Sequence, residues 1–310
     1  MKSPLIVLNA LAIRADSQAP EALRRARPQY NVNRAGQGSE DQGVQDRRLA
    51  LTDKPQLEWE AFDEYWRKVH GPKILHVDGA EERQTGLLTY YLQQHRVPGG
   101  PTSARPPPYS PQLDEGGLLV KDPSTRCAPY ERPQWDGMAQ LGYRSKQDLE
   151  SFFNLGPGKY GNKIVPDEAV FIRGFGFHVA EEHVVLQGDR RRDPVILIKT
   201  HVRNAELTRA QFRGHWMAQH ADLVTRSAPG SRLLRRYAQL VNISAEGDKL
   251  YDPVGDRFDG VGVMSFANMN DIEDYLASEA YAKIQADEAE FARESVYFTA
   301  LNYVIRDLSA

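Results

Sequence analysis

The sequence predicts an α+β chain of two tandem βαββαβ repeats whose sheets close on each other as an eight-stranded barrel. Three echoes of the chain within itself carry that prediction. Phe62, Trp66 and His70 recur as Phe212, Trp216 and His220, each set spaced by four residues. Trp135-Asp136-Gly137 ahead of Leu149 and Phe152 recurs as Phe258-Asp259-Gly260 ahead of Ile272 and Tyr275. Asp167-Glu168-Ala169 with Phe171 recurs as Asp287-Glu288-Ala289 with Phe291. The echoes keep their order while the offset falls from 150 to 123 to 120 residues, so the first copy carries the extra length. The repeats are expected at 1–188 and 189–310, the first with insertions at about 14–55 and 96–134.

The first repeat reads as a strand over Leu5–Ile13, a helix over Trp59–Leu75, and strands over Thr85–His95 and Trp135–Tyr143. A helix over Lys146–Phe153 and a strand over Phe171–Leu186 complete it. In the second repeat, Val195–Val202 is short and β-branched, hence a strand. Thr208 and Gln211 form a capping box, opening a helix with the apolar stripe Phe212, Trp216 and Leu223 that Pro229-Gly230 breaks. Strands over Leu233–Ile243 and Phe258–Phe266, a helix over Asn270–Ala286 and a strand over Val296–Ile305 follow. Each repeat is then a sheet with helices on one face only. Two bare apolar faces in one chain are best buried against each other, which makes the barrel.

The insertions stand out by composition. Nine of the 19 prolines fall between Arg96 and Gln134, which argues against helix or central strand there. Asp16 to Lys54 is rich in Arg, Gln, Gly and Asp with little periodicity. Such long excursions could be arms that hold two chains together as a homodimer, a lid, or decoration.

Composition narrows the function. Hydrophobic residues at 41% and charged residues at 26% are ordinary for a globular chain. With 39 Lys plus Arg against 42 Asp plus Glu, the net charge of −3 supplies no field for nucleic acid or an anionic membrane. No apolar run reaches the ~20 residues of a membrane helix, and the start is a poor signal peptide. One cysteine, Cys127, excludes an internal disulfide or a thiolate metal cluster. A soluble cytoplasmic protein is expected.

The ordered set Phe62/Tyr65/Trp66/His70, Tyr91/Gln93/His95, Trp135-Asp136-Gly137 and Asp167-Glu168-Ala169 resembles the EthD family of dimeric α+β barrel proteins. So does Phe212/His215/Trp216/His220, Tyr237/Gln239, Phe258-Asp259-Gly260 and Asp287-Glu288-Ala289. His215 departs from the usual aromatic, and Val241 stands where the first repeat has His95. The resemblance implies two ferredoxin-like repeats forming, within one chain, the barrel that relatives form as dimers. It implies no single reaction, since the superfamily spans decarboxylases, cyclases, a lactone isomerase, monooxygenases and haem enzymes.

His70 and His220 end the apolar stripe of their helices; they read either as caps of the last carbonyls or as general acid/base groups. The resemblance to the lactone isomerase branch points to the second role. Tyr91, Gln93 and His95 alternate on one strand and share a face, expected to point into the barrel because unpaired polar groups are costly beneath helices. There they would orient an enol or phenol and shuttle a proton, with Tyr237 and Gln239 as the poorer second set. Trp66 and Trp216 are core residues that could also touch substrate, and Asp136 reads as a turn residue or a substrate contact.

Other motifs are discounted. Gly156-Pro157-Gly158-Lys159-Tyr160-Gly161 has dinucleotide-loop spacing but follows a helix, and no helix is expected to open at its end. His215 and His220 lack zinc spacing, and His178 and His183 point to opposite faces of a strand, so no metal is expected. Arg190-Arg191-Arg192 reads as a solvated linker. The function expected is a cofactor-independent lyase or isomerase acting on a hydrophobic, oxygenated or aromatic small molecule, with His70, His95 or His220 moving the proton and Tyr91 or Tyr237 stabilising charge. The alternatives are a non-catalytic barrel that binds a small ligand, or a haem-dependent barrel enzyme.

Overall fold

The computed structural model describes residues 4–14, 59–76, 85–108, 135–153 and 160–308. Its strands are β1 (Leu5–Arg14), β2 (Leu88–Arg96), β3 (Gly137–Tyr143), β4 (Ile172–Leu186), β5 (Val195–Arg203), β6 (Leu234–Asn242), β7 (Gly260–Phe266) and β8 (Ala292–Asp307). They form a closed antiparallel barrel in the order β1-β3-β2-β8-β5-β7-β6-β4. Each half contributes the split-βαβ order, β4-β1-β3-β2 and β8-β5-β7-β6.

Closure depends on the length of the fourth strand of each half. β4 and β8 run for 15 and 16 residues, enough to pair twice. β4 lies along β1 and then, from Ala180 to Leu186, along β6. β8 lies along β5 and then, from Ala300 to Asp307, along β2. These two seams leave no open edge.

Side-chain alternation then sorts the core into layers. Val7, Leu11 and Ile13 of β1 meet Ile196, Ile198, Val261 and Val263 of the other half inside the barrel. Their neighbours Leu8, Ala10 and Ala12 face outward, beneath helices that bring Phe62 and Trp66. In the first half those helices are α1 (Trp59–Tyr65), which continues through a π-turn (Trp66–His70) into α2 (Gly71–Leu75), then α3 (Lys146–Phe153) and α4 (Tyr160–Phe171). In the second half, α5 (Arg209–His215) continues through a π-turn (Trp216–His220) into α6 (Ala221–Arg226). Two short helices follow, α7 (Ala228–Leu233) and α8 (Pro253–Asp256), then α9 (Met269–Leu276) and α10 (Glu279–Phe291).

The sequence expectations need four corrections. A helix does open after the glycine-rich segment: α4 starts at Tyr160, despite Gly161 and an internal Pro166. The expected helix Asn270–Ala286 is two, because Ser278 accepts the Tyr281 N–H and caps α10 afresh. Pro229-Gly230 lies inside α7, where Pro takes a first-turn position. Arg190 is no solvated linker residue, for its guanidinium meets Glu182 at 2.6 Å at one end of the barrel. Of the proline-rich excursion, the described start runs beside β8, with Val97 N–H donating to Thr299 and Ser103 N–H to Tyr297. Its remainder, the excursion over 16–54, Cys127 and the 154–159 segment lie outside the described residues. Among the described residues, no helix is long and apolar enough to cross a membrane.

Candidate functional site

The helix signature builds the same device twice. In the π-turn the Gly71 N–H bonds back to the Trp66 carbonyl, a wider loop than the α-helical one. That carbonyl also accepts from Gln93 Nε2 at 2.9 Å, and Trp216 accepts from Gln239 Nε2 at 2.8 Å. The same amide nitrogens donate to Tyr91 Oη at 2.7 Å and Tyr237 Oη at 3.0 Å. Tyr91, Gln93 and His95 therefore do share a face, but it is the helix-covered face and not the barrel interior. The expectation fails because the tryptophan carbonyl of the π-turn accepts a hydrogen bond from the strand, so the glutamine amide nitrogen beneath the helix finds a partner. Tyr90, Leu92 and Gln94 take the inward positions.

His95 stacks on the Trp66 indole, with centroids 4.4 Å apart, and its Nδ1 lies 2.7 Å from Asp63. Val241 removes that imidazole from the second half, and His201 of β5 restores one there, 5.3 Å from the Trp216 ring. Gly137 and Gly260 exist for the same indoles: a Cβ on either would stand 2.5 or 2.3 Å from the Trp66 or Trp216 ring. Trp66 and Trp216 are fully packed core residues. Asp136, expected at a turn or on substrate, is also buried: one oxygen accepts the Arg14 N–H at 3.0 Å, the other Arg96 Nη2 at 2.7 Å. Asp259 treats Arg203 in the same way, so these aspartates fasten strand ends.

The chemistry concentrates where the π-turn meets α4. Asp167 accepts from three groups: His70 Nδ1 at 2.8 Å, Tyr65 Oη at 2.7 Å and the Lys73 ammonium. Burial alone would raise its pKa, but the hydrogen bonds from His70, Lys73 and Tyr65 prevail and bring it down to about 2. A carboxylate so ionised can only accept, which places a proton on His70 Nδ1 and leaves Nε2 with its lone pair. Burial, partly offset by Asp167, lowers the His70 pKa and keeps the ring neutral near pH 7. The sequence exposed Asp167 as an echo but not as a partner of His70; its recurrence together with the histidine was the available signal.

The second half repeats the core of this arrangement. Asp287 accepts from His220 Nδ1 at 2.7 Å and from His215 Nε2 at 2.8 Å. His215, the departure from the aromatic pattern, thus replaces the Tyr65 hydroxyl. A further group has no first-half equivalent. Lys199, buried on β5, lies 2.5 Å from Glu288 Oε1 and donates to Tyr281 Oη at 2.8 Å. His220 Nε2 sits 3.8 Å from the same Glu288 oxygen. Sequence reasoning missed Lys199, His201 and Glu288, because their partners lie far along the chain.

Beside the first-half histidine, a surface cleft of about 450 Å³ is lined by Pro72, Lys73, His76, Lys163 and Ile164. Lys73 belongs both to this cleft and to the Asp167 cluster. Among the described residues, no three His, Cys, Asp or Glu side chains gather as metal ligands.

None of the curated proteins compared with the chain matches it. Among solved structures, an anthrone oxidase-like protein is similar at 10% identity and a TM-score of 0.50, over 99% of this chain and 96% of that one. A chlorite dismutase variant from Candidatus Nitrospira defluvii is 10% identical with a TM-score of 0.42, over 97% and 92%. Identities this low speak for fold alone. The EthD domain matches residues 54–174 and 204–295, two segments that each contain the Trp–His π-turn and its aspartate, and the chain belongs to the EthD domain family.

Proposed function

We propose that the first half houses a cofactor-independent lyase or isomerase centre for a hydrophobic, oxygenated or aromatic small molecule. The observation that carries this reading is the Asp167 carboxylate fixing His70 by its Nδ1 beside an accessible cleft. His70 Nε2 takes a proton from an acidic C–H or O–H next to a carbonyl, and the electron pair moves onto the carbonyl oxygen. The ammonium of Lys73, held charged by Asp167, faces the developing negative oxygen. In isomerisation the imidazolium returns its proton to a different atom. In the lyase reaction the proton removed is that of a β-keto acid's carboxyl; the C–C bond to the carboxylate breaks as carbon dioxide leaves, and its electron pair passes to the ketone oxygen. The imidazolium then returns the proton to the carbon. Tyr91 and His95 hold the π-turn and the Trp66 ring in place, and His70 is the group assigned to proton transfer.

The test is turnover of aromatic β-keto acids and unsaturated lactones in heavy water without added cofactor. Deuterium is expected at carbon in the product, and His70→Gln should lower the rate by on the order of 10² or more with the fold intact. Unchanged turnover in that variant removes His70 from the mechanism. The burial of His70, which is only 5% exposed, also fits a non-catalytic ligand carrier. In that case the variant changes affinity modestly and no panel member is consumed.

A further inference from the structure

The two halves share the histidine–aspartate pair, the glutamine-braced π-turn and a glutamate after the aspartate. Besides His215 for Tyr65, Leu223 for Lys73 and Val241 for His95, they differ at two further positions that the repeat aligns residue for residue. The N–H of Asp136 bonds to Ala12 and that of Asp259 to His201, so β1 and β5 superpose with Ala10 opposite Lys199. Asp167 and Asp287 both hold their histidine by Nδ1, so α4 and α10 superpose with Gly161 opposite Tyr281. The second half therefore carries a lysine and a tyrosine, hydrogen-bonded to each other, where the first carries an alanine and a glycine.

We propose that the second half is a latent copy of the first-half site, closed by Lys199 and Tyr281, and that the chain works with one open site and one plugged one. The inference rests on the proposed function of the first half. Lys199 bridges Tyr281 Oη and Glu288 Oε1, and all three side chains are nearly or wholly buried. The plug is thus fixed by a buried ion pair and a hydrogen bond and is not a loose side chain. Its effect reaches the histidine. His220 is fully buried and its Nε2, the nitrogen equivalent to the proposed base, has no hydrogen-bond partner and faces Glu288. His70 is 5% exposed, and Glu168, the counterpart of Glu288, is half-buried, with Ala10 standing at the position of Lys199. The lost ligand would be of the same class as in the first half, a hydrophobic oxygenated ring, because His220 and Asp287 repeat the pair on which that reading rests.

The experiment counts bound 1-naphthol by titration calorimetry on the full chain, with circular dichroism as a check of fold. Wild type is expected to bind one equivalent. The variant K199A/Y281G, which restores the first-half residues at these two positions, should bind two, and Ala10→Lys, which transfers the lysine of the plug, should bind none. A folded K199A/Y281G that stays at one equivalent, or a folded Ala10→Lys that still binds, overturns the inference. Wild-type crystals soaked in 1-naphthol give a reading independent of any variant: density beside His70 alone supports the plug, and density beside His220 overturns it. Wild type that binds no 1-naphthol counts against the first-half reading instead, and a gain from zero to one in K199A/Y281G would then still support the plug.

Discussion

At the scale of single residues, the decisive group is the carboxylate that the histidine faces. Asp167 is ionised to about pH 2 in the folded chain and would titrate near 3.8 when unfolded. Its stabilisation is fully present above pH 3.8 and is lost as the pH falls through the folded value, an effect of about 2 kcal/mol. The more telling consequence concerns the tautomer. In Asp167→Asn the amide can present either an oxygen or an NH2 to Nδ1, so the proton is free to move to Nε2 and the base is lost part of the time. We predict that Asp167→Asn lowers kcat by at least tenfold while changing KM little; equal changes in both would make Asp167 a binding group. The wild-type pH profile follows from the same geometry. Burial lowers the His70 pKa below 6.5, and the reaction needs the neutral ring. The rate should therefore be level at pH 7 and fall on acidification with a midpoint under 6.5. A midpoint above 7 would rule out His70 as the base.

At the scale of elements, the π-turn explains most of what the motif spacing means. Trp and His four residues apart on an ordinary helix would share a face with no free carbonyl between them. In the wider turn the Trp66 carbonyl takes the Gly71 N–H and, as a second hydrogen bond, Gln93 Nε2, while His70 reaches Asp167 of α4. Gln93→Leu keeps the shape of the side chain but leaves that buried carbonyl and Tyr91 Oη short of a donor. A loss of about 1–3 kcal/mol is expected by chemical denaturation, with Gln239→Leu giving a similar loss in the second half. A loss below about 0.5 kcal/mol would show that the amide is not what braces the turn. Here the limits of the sequence are also clearest. The helices and strands were legible because apolar period and caps are local, and the echoes fixed their order. Alternation showed that Tyr91, Gln93 and His95 share a face, but which face depends on the partners available there. A π-turn carbonyl that accepts a second hydrogen bond leaves no mark in residue spacing. Asp167 and Lys199 were hidden for a related reason: one looked like part of a helix echo, the other like a lone polar residue in a β-branched strand.

At the scale of the whole molecule, closing two sheets into one barrel buries polar groups that an apolar core would not contain. Asn9 on β1 is aligned with Gln140 of β3 on one side and His178 of β4 on the other, and Gln94 of β2 donates to Gln140 at 3.3 Å. These side chains line the first half's share of the interior, while the second half contributes Ile196, Ile198, Val261 and Val263. His178 is fully buried, with neither ring nitrogen hydrogen-bonded to protein, and burial drives its pKa down to about 4. The sign follows from proton binding. Between pH 6.5 and 4 the unfolded chain takes up a proton at this residue and the folded chain does not, so acid favours unfolding. At pH 5 this single group should cost the fold about 2 kcal/mol relative to pH 7. His70 and His220 are lowered as well, yet each has an aspartate on Nδ1 that moderates the charging of its ring. His178 has no such partner, which makes it the clean probe. His178→Leu suits the neighbouring apolar layer and cannot titrate. We predict that urea midpoints at pH 7 and pH 5 lie closer together in this variant than in wild type, by the equivalent of about 2 kcal/mol, with unchanged m-values. An undiminished gap between the two midpoints would mean that His178 is charged or solvated inside the folded barrel, and that water reaches the space between the two sheets.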